Sequence, residues 1–204
     1  VNKRGNELKN QITGVILAGG MARRMGGQDK GLIQVAGKPL IEHVIGGLQP
    51  QVGTLIININ RNLDRYKVYG LPLVVDSISG YHGPLVGMAS CLCVVDKEFM
   101  ATVPCDSPRL PHDLVQRLYR GLLREHAEIS VAHDGEYIQP VFALMKTSLL
   151  NSLLDFLDRG KRKISDWYDE HKLATVDFSD VPEAFININT PEDVGQLEAE
   201  LEKR

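Results

Sequence analysis

The sequence predicts an α/β fold: a mostly parallel sheet with helices on both faces, stacked as a three-layer sandwich. Three observations predict it. From Thr13 onward short apolar runs alternate with longer amphipathic ones, the pattern of strands joined by crossover helices. The first of those runs, Val15-Ile16-Leu17, opens directly into a glycine-rich loop, as strands of open α/β sheets do at a ligand crevice. The chain of 204 residues, 43% hydrophobic and 24% charged, is long enough to bury a core of its own.

Residues Val1 to Gln11 are polar and without period, and read as a flexible N-terminal arm that leaves 12–204 as a single domain. Val15 to Leu17 is the first strand. Pro39 to Leu48 reads as a helix, because Leu40, Ile41, Val44, Ile45 and Leu48 fall on one face. Leu55 to Ile57, Leu73 to Val75 and Phe99 to Val103 are the next strands, with a helix over Pro84 to Val95 before the last of them. Leu114, Val115, Leu118 and Leu122 again recur at helical spacing. Ile129 to Ala132 and Val141 to Leu144 read as strands, and a helix follows near Ser148 to Leu157. After Phe185, which begins the run, Ile186 and Ile188 alternate with Asn187 and Asn189; as a strand within the sheet the segment would place Asn187 and Asn189 on one face. Thr190-Pro191-Glu192-Asp193 opens the last helix, with a Thr cap, Pro at the first position and an acid at the third.

The formal charge of -3 argues against a partner bound by its phosphate backbone, so no nucleic acid is expected. No signal peptide and no membrane-spanning apolar run is evident, so no membrane partner is expected and the cytoplasm is the expected compartment. Cys91, Cys93 and Cys105 have neither disulfide-framework nor zinc-ligand spacing and are expected as buried, reduced thiols. None of the six histidines, His43, His82, His112, His126, His133 and His171, is paired with a Ser or Cys in a way that suggests a nucleophile and its base.

The most informative segment runs from Leu17-Ala18-Gly19-Gly20 through Arg23-Arg24-Met25-Gly26 to Asp29-Lys30. Glycines let backbone N–H groups approach an anion. Arg23, Arg24 and Lys30 add positive charge suited to phosphate oxygens. The loop is built for a polyphosphate, yet it matches neither the P-loop nor the dinucleotide fingerprint: Gly19 and Gly20 are adjacent, and Lys30 precedes Gly31. Asp106, in Pro104-Cys105-Asp106-Ser107-Pro108, closes the fourth strand and faces the same crevice. One carboxylate beside a polyphosphate makes a Mg²⁺ site; a simple turn Asp before Ser-Pro is the other reading. Asn58 and Asp76 also stand at strand ends, where strand-end capping is the alternative to a ligand contact.

Leu17-Ala18-Gly19-Gly20, Arg24-Met25-Gly26, Asp29-Lys30 and Gly37-Lys38-Pro39-Leu40 resemble the signature of the sugar-phosphate-type nucleotidyltransferases. The likeness continues through Asn58 to Asn60, Asp76, Gly83-Pro84-Leu85 with Gly87-Met88, Asp106 and Asn187-Ile188-Asn189-Thr190-Pro191. In that ordered set the sequence is similar to the molybdenum cofactor guanylyltransferases, which implies a Rossmann-like sheet. Met21 departs from the pattern, where a polar or basic residue would extend the phosphate clamp.

The resemblance implies transfer of GMP from GTP to the phosphate of molybdopterin, with release of pyrophosphate. It implies Mg²⁺, or Mn²⁺, on Asp106. Nucleotide contacts fall on Leu17, Ala18, Gly19, Gly20, Lys30, Asn58, Asp76 and Asp106, and catalytic charge on Arg24, Lys30 and Asp106. Gly83, Pro84, Asn187 and Asn189 are implied on the acceptor side, with other cofactor-biosynthesis proteins and molybdoenzyme targets as protein partners. Transfer to a sugar phosphate, transfer from CTP, and non-catalytic GTP binding are the rival readings. The missing Walker loop and the presence of Asp106 weigh against the last.

Overall fold

Strands buried on both faces need apolar side chains in both directions, and the first strand has them. A computed structural model describes residues 3–19, 21–22, 27–77 and 83–201. In chain order these form α1 (Lys3–Asn10), β1 (Ile12–Leu17), two short antiparallel pairs, β2 (Met21–Ala22) with β3 (Gln28–Asp29) and β4 (Gln34–Val35) with β5 (Lys38–Pro39), then α2 (Leu40–Leu48). There follow β6 (Thr54–Asn58), α3 (Leu63–Lys67), β7 (Leu73–Val74), α4 (Pro84–Leu92), β8 (Phe99–Pro104) and α5 (Leu114–Arg124). The rest comprises β9 (Ile129–His133), β10 (Ile138–Lys146), α6 (Leu150–Asp158), α7 (Ile164–Tyr168), β11 (Leu173–Asp177) and α8 (Pro191–Leu201).

Seven strands make one sheet in the order β11-β9-β10-β8-β1-β6-β7. Alternate residues of β1 feed opposite layers: Ile12 and Ile16 pack with α2, α5 and Tyr66 of α3, while Val15 packs with α4, α6 and α7. The three-layer sandwich expected from the sequence is the observed one. All strand pairs are parallel except those of β10, which runs against both β8 and β9. The turn from β9 into β10 is too short for a crossover, so the strands must oppose. Asp134 Oδ1 closes it by accepting from the N–H groups of Glu136 (2.8 Å) and Tyr137 (2.7 Å), and Gly135 supplies φ +104°.

Register fixes the site. Leu17 pairs with Asn58 on one side and Pro104 on the other, and Asn58 pairs with Val74. Four parallel strands therefore end level. From β1 the path goes to β6 and β7 on one side, then returns to β8 on the other, so the switch point of the sheet lies between β1 and β8.

Four expectations are corrected. Residues 3–10, expected as an arm, form α1, whose Leu8 packs on the core; with so few apolar residues the helix leaves little periodicity to read. Residues 186–189 are not a strand: they run beside the end of β8 with one backbone hydrogen bond, Ile188 N–H to the Asp106 carbonyl (2.8 Å). Their alternation reflects burial of Ile188 while Ile186 and Asn187 face solvent. Cys93 is exposed at the C-cap of α4, whereas Cys91 and Cys105 are buried as expected. And His171 does meet a serine, with Nε2 2.8 Å from Ser152 Oγ and Nδ1 3.3 Å from Glu128 Oε2. That group lies at the amino edge of the sheet, where Ser152 Oγ also accepts from the Nε1–H of buried Trp167 (3.3 Å); it ties α6 and α7 to β9 and β11.

The α8 start follows the sequence closely. Asp193 N–H donates to Thr190 Oγ1 (3.2 Å), and Asp193 Oδ2 accepts from Thr190 N–H (2.8 Å) and Asn189 N–H (2.8 Å). The reciprocal box satisfies donors at the helix start that would otherwise be orphaned.

Candidate active site

Three groups of polar side chains gather at the carboxyl ends of β1, β6, β7 and β8. The first is built around Lys30, in the turn after β3. Its Nζ donates to Asp106 Oδ2 (2.6 Å) and to Asn189 Oδ1 (2.6 Å). Asp106 follows β8 and is nearly buried, and Asn189 arrives from the segment ahead of α8. The charge-assisted pair with Asp106 is stronger than a neutral hydrogen bond, and Asn189 adds a second oxygen on the same ammonium. Beside it Ser107 Oγ donates to Asn187 Oδ1 (2.6 Å). The two asparagines thus have different surroundings: Asn189 reaches the cation, and Asn187, exposed, stands outside it.

The second group sets Lys30 in place. Asp29 is buried and accepts from Tyr66 Oη–H (2.6 Å), Asn62 Nδ2 (3.1 Å) and Gly31 N–H (3.2 Å), with Arg61 Nε 3.7 Å from its other oxygen. Burial and the Asp29 carboxylate hold the Tyr66 hydroxyl protonated far above the usual phenol range. Gly31 is required here, since a Cβ would lie 2.5 Å from Tyr66 Oη. Tyr66→Phe should lower stability by about 1–3 kcal/mol, because a buried acceptor loses its donor, and should weaken nucleotide binding through Lys30. Thermal unfolding and calorimetry on one sample check both; an unchanged melting temperature would remove Tyr66 from this role.

The third group lies across the sheet. Asn58 Nδ2 donates to Asp76 Oδ1 (2.8 Å) and the Val74 carbonyl (3.2 Å), and Asn60 Nδ2 donates to Asp76 Oδ2 (2.7 Å). The helix α4 approaches so closely that a Cβ on Gly87 would lie 2.4 Å from Asn58 Oδ1. Gly83, at φ +81°, turns the backbone into α4, and Pro84 takes its first position.

Leu17 and Ala18 form the floor between these groups. The Leu17 carbonyl accepts from Cys105 N–H (3.2 Å) and Ala18 N–H donates to the Asn58 carbonyl (2.8 Å), so Gly19 brings the first backbone N–H beyond the sheet. Gly20 and Arg24 lie outside the described residues. Burial, with Asp106 and Asp29 nearby, holds the Cys105 thiol well above its ordinary pKa, which removes it as a nucleophile. Among the described residues no cluster of three His, Cys, Asp or Glu side chains could cage a metal, and no helix is long and apolar enough to cross a membrane.

Of the residues expected from the sequence, Lys30 touches both Asp106 and Asn189, and Asn58 touches Asp76. Asp29, Asn60, Tyr66 and Ser107 join them without having been expected as site residues. Asn60 had a usable signal in the Asn58 to Asn60 spacing, which returns two amides to one side of an extended backbone.

Comparison with known proteins identifies the family. The model of the MobA-like NTP transferase domain matches residues 14–174. A molybdenum cofactor guanylyltransferase of Shewanella loihica is 51% identical over 187 residues, 92% of this chain and 95% of that protein. The enzyme of the same name from Shewanella baltica is 47% identical over 196 residues, 96% of this protein and 100% of its own length. Among solved structures, molybdopterin-guanine dinucleotide biosynthesis protein A from Archaeoglobus fulgidus superposes with a TM-score of 0.78 at 21% identity, over 94% of this chain and 100% of that one. A 4-diphosphocytidyl-2C-methyl-D-erythritol synthase from Anaerococcus prevotii gives 0.70 at 15% identity, over 95% and 99%. These two structures share the fold; the family rests on the domain match and the close relatives. The chain belongs to the MobA-like NTP transferase family, among its molybdenum cofactor guanylyltransferases.

Proposed function

We propose that this protein transfers GMP from GTP to the phosphate of molybdopterin, releasing pyrophosphate and forming the guanine dinucleotide cofactor. The observation that carries the reading is the meeting of Lys30, Asp106 and Asn189 at the switch point of the sheet, in a member of this family. Residues 12–204 act as one nucleotidyltransferase domain, and the cytoplasm is the compartment we assign.

The acceptor phosphate is already an anion at neutral pH, so no residue need act as a general base. The task is alignment and offset of negative charge. Lys30 faces the transferring phosphates, with Arg24 assigned to the same task. Gly19 and Gly20 let the backbone approach the phosphates. Asn58 and Asp76 take the nucleoside, where the Asp76 carboxylate suits either the donor edge of guanine or ribose hydroxyls. Gly83, Pro84, Asn187 and Asn189 border the acceptor.

The donor set suits Mg²⁺, with Mn²⁺ as substitute. Asp106 and Asn189 present oxygens that converge on one cation, the Lys30 ammonium, at 2.6 Å each. A single carboxylate completed by substrate phosphates is the usual holding of Mg²⁺. Asp106, with Asn189 beside it, would hold the ion, which when bound neutralises charge on the phosphates. The product passes to other cofactor-biosynthesis proteins and molybdoenzyme targets.

Pyrophosphate release tests the reading. It should require molybdopterin and Mg²⁺ together, and GTP should be preferred over ATP by at least about 10²-fold, since adenine lacks the guanine donor edge. Equal use of ATP or CTP, or transfer to a sugar phosphate instead, would overturn the guanylyl assignment. GTP binding with no release would leave a binding module.

A further inference from the structure

Asn60 grips a single residue with both ends of its amide. Its Nδ2 donates to Asp76 Oδ2 (2.7 Å), and its Oδ1 accepts from the backbone N–H of Asp76 (3.0 Å). Asn58 Nδ2 holds the other carboxylate oxygen at 2.8 Å. Asp76 lies just beyond β7, the edge strand, and is only half-buried. Among the described residues these two amides are its only side-chain partners. An ionised carboxylate has roughly two acceptor positions per oxygen. One on each oxygen is taken, and the direction of the free pair is set by where the amides stand.

The other side of Asn60 meets the phosphate loop. A Cβ built on Gly19 would lie 2.8 Å from Asn60 Nδ2. The amide is pinned at both ends, so it cannot swing away at little cost. Only glycine at 19 leaves it in place.

We propose that Asn60 is a positioning residue, which fixes the Asp76 carboxylate toward the nucleotide, and that the missing Cβ of Gly19 makes room for it. The proposal rests on the assignment of Asp76 to the nucleotide. Asn60 itself touches no reacting atom. Its effect is to order the acceptor oxygens before the ligand arrives, so that binding does not have to order them.

The experiment is a double-mutant cycle read by GTP calorimetry, with transfer kinetics and thermal unfolding on each variant. Asn60→Ala should weaken GTP binding about tenfold, the worth of one hydrogen bond to a charged group. The KM for GTP should rise by about the same factor while kcat at saturation stays within about twofold. Asp76→Ala should cost at least as much, and adding Asn60→Ala to it should cost nothing further, because residues acting through one group are not additive. Asn60→Asp should do at least as much harm as Asn60→Ala, since it sets carboxylate against carboxylate. Asn60→Ser serves if the alanine variant unfolds: its hydroxyl cannot span both Asp76 groups, and the same loss is expected. Normal GTP affinity in the Ala and Ser variants overturns the proposal. So do fully additive losses with Asp76→Ala. If the wild-type protein binds GTP but transfers nothing, the guanylyltransferase reading falls, and the binding cycle still decides the role of Asn60.

Discussion

Asp106→Asn should reduce turnover by at least about 10³-fold while the protein still folds, a loss at the upper end for removal of one preorganised charge-stabilising group. The substitution keeps the shape of the side chain and one oxygen. It removes the charge that pairs with Lys30 at 2.6 Å and that would hold the metal. Asn189 is a neutral amide and does not replace it. Because Ile188 N–H binds the backbone carbonyl of Asp106, the path toward α8 should survive, and the circular dichroism spectrum with it. GTP binding without metal should change little. Near-normal turnover at saturating Mg²⁺ would take Asp106 out of the metal role.

Lys30→Ala should slow transfer by about ten- to hundredfold, the worth of a charge-assisted phosphate contact at roughly 1.5–3 kcal/mol. The structure adds a second consequence. Lys30 is the cation shared by Asp106 and Asn189, and its loss leaves a nearly buried carboxylate without a counter-charge, which is costly. Raised Mg²⁺ should therefore recover more activity in Lys30→Ala than in Asp106→Asn, since the variant keeps the anionic ligand. A Mg²⁺ titration of the two variants side by side checks this. If Lys30→Ala binds and turns over GTP normally, the loop is not the phosphate cradle.

The strands and helices that make the sandwich were legible because burial on both faces imposes unmistakable runs, as in β1, and one-sided burial imposes helical spacing, as in α2 and α5. The site residues at strand ends were legible for a related reason. The register that makes Leu17, Asn58 and Pro104 level is the ordinary geometry of parallel strands, so strand ends alone bring Asp106, Asn58 and Asp76 to one edge of the sheet. What could not be read was partnership. Asp29 looks like a turn residue in the sequence and Asn60 shows only its spacing from Asn58, and the packing of Tyr66 and the reach of Asp76 are what give them work. Residues 186–189 show the opposite failure: a local alternation copied the sign of a strand, although no neighbouring strand among the described residues supplies a ladder. The direction of β10 was hidden too, because it depends on the length of a turn rather than on the strand's own residues.

The α8 segment gives the molecule a history as well as a shape. Lys30 and Asn189 are 159 residues apart, and at about 5–20 residues per second a ribosome needs roughly ten seconds or more between them. The strands β1, β6, β7 and β8, whose ends frame the site, all leave the ribosome earlier. The helix then docks on the β4–β5 hairpin, through Leu197 against Val35 and Ile33 and Glu198 Oε1 on the Ala36 N–H (2.8 Å), and on the segment after β8 through the Arg109–Glu200 pair (2.6 Å). Lys30 and its partner Asp106 are thus both made well before Asn189, the partner of Lys30 from the last segment. On the assignment proposed above, changes confined to the late segment should alter use of the acceptor more than affinity for GTP.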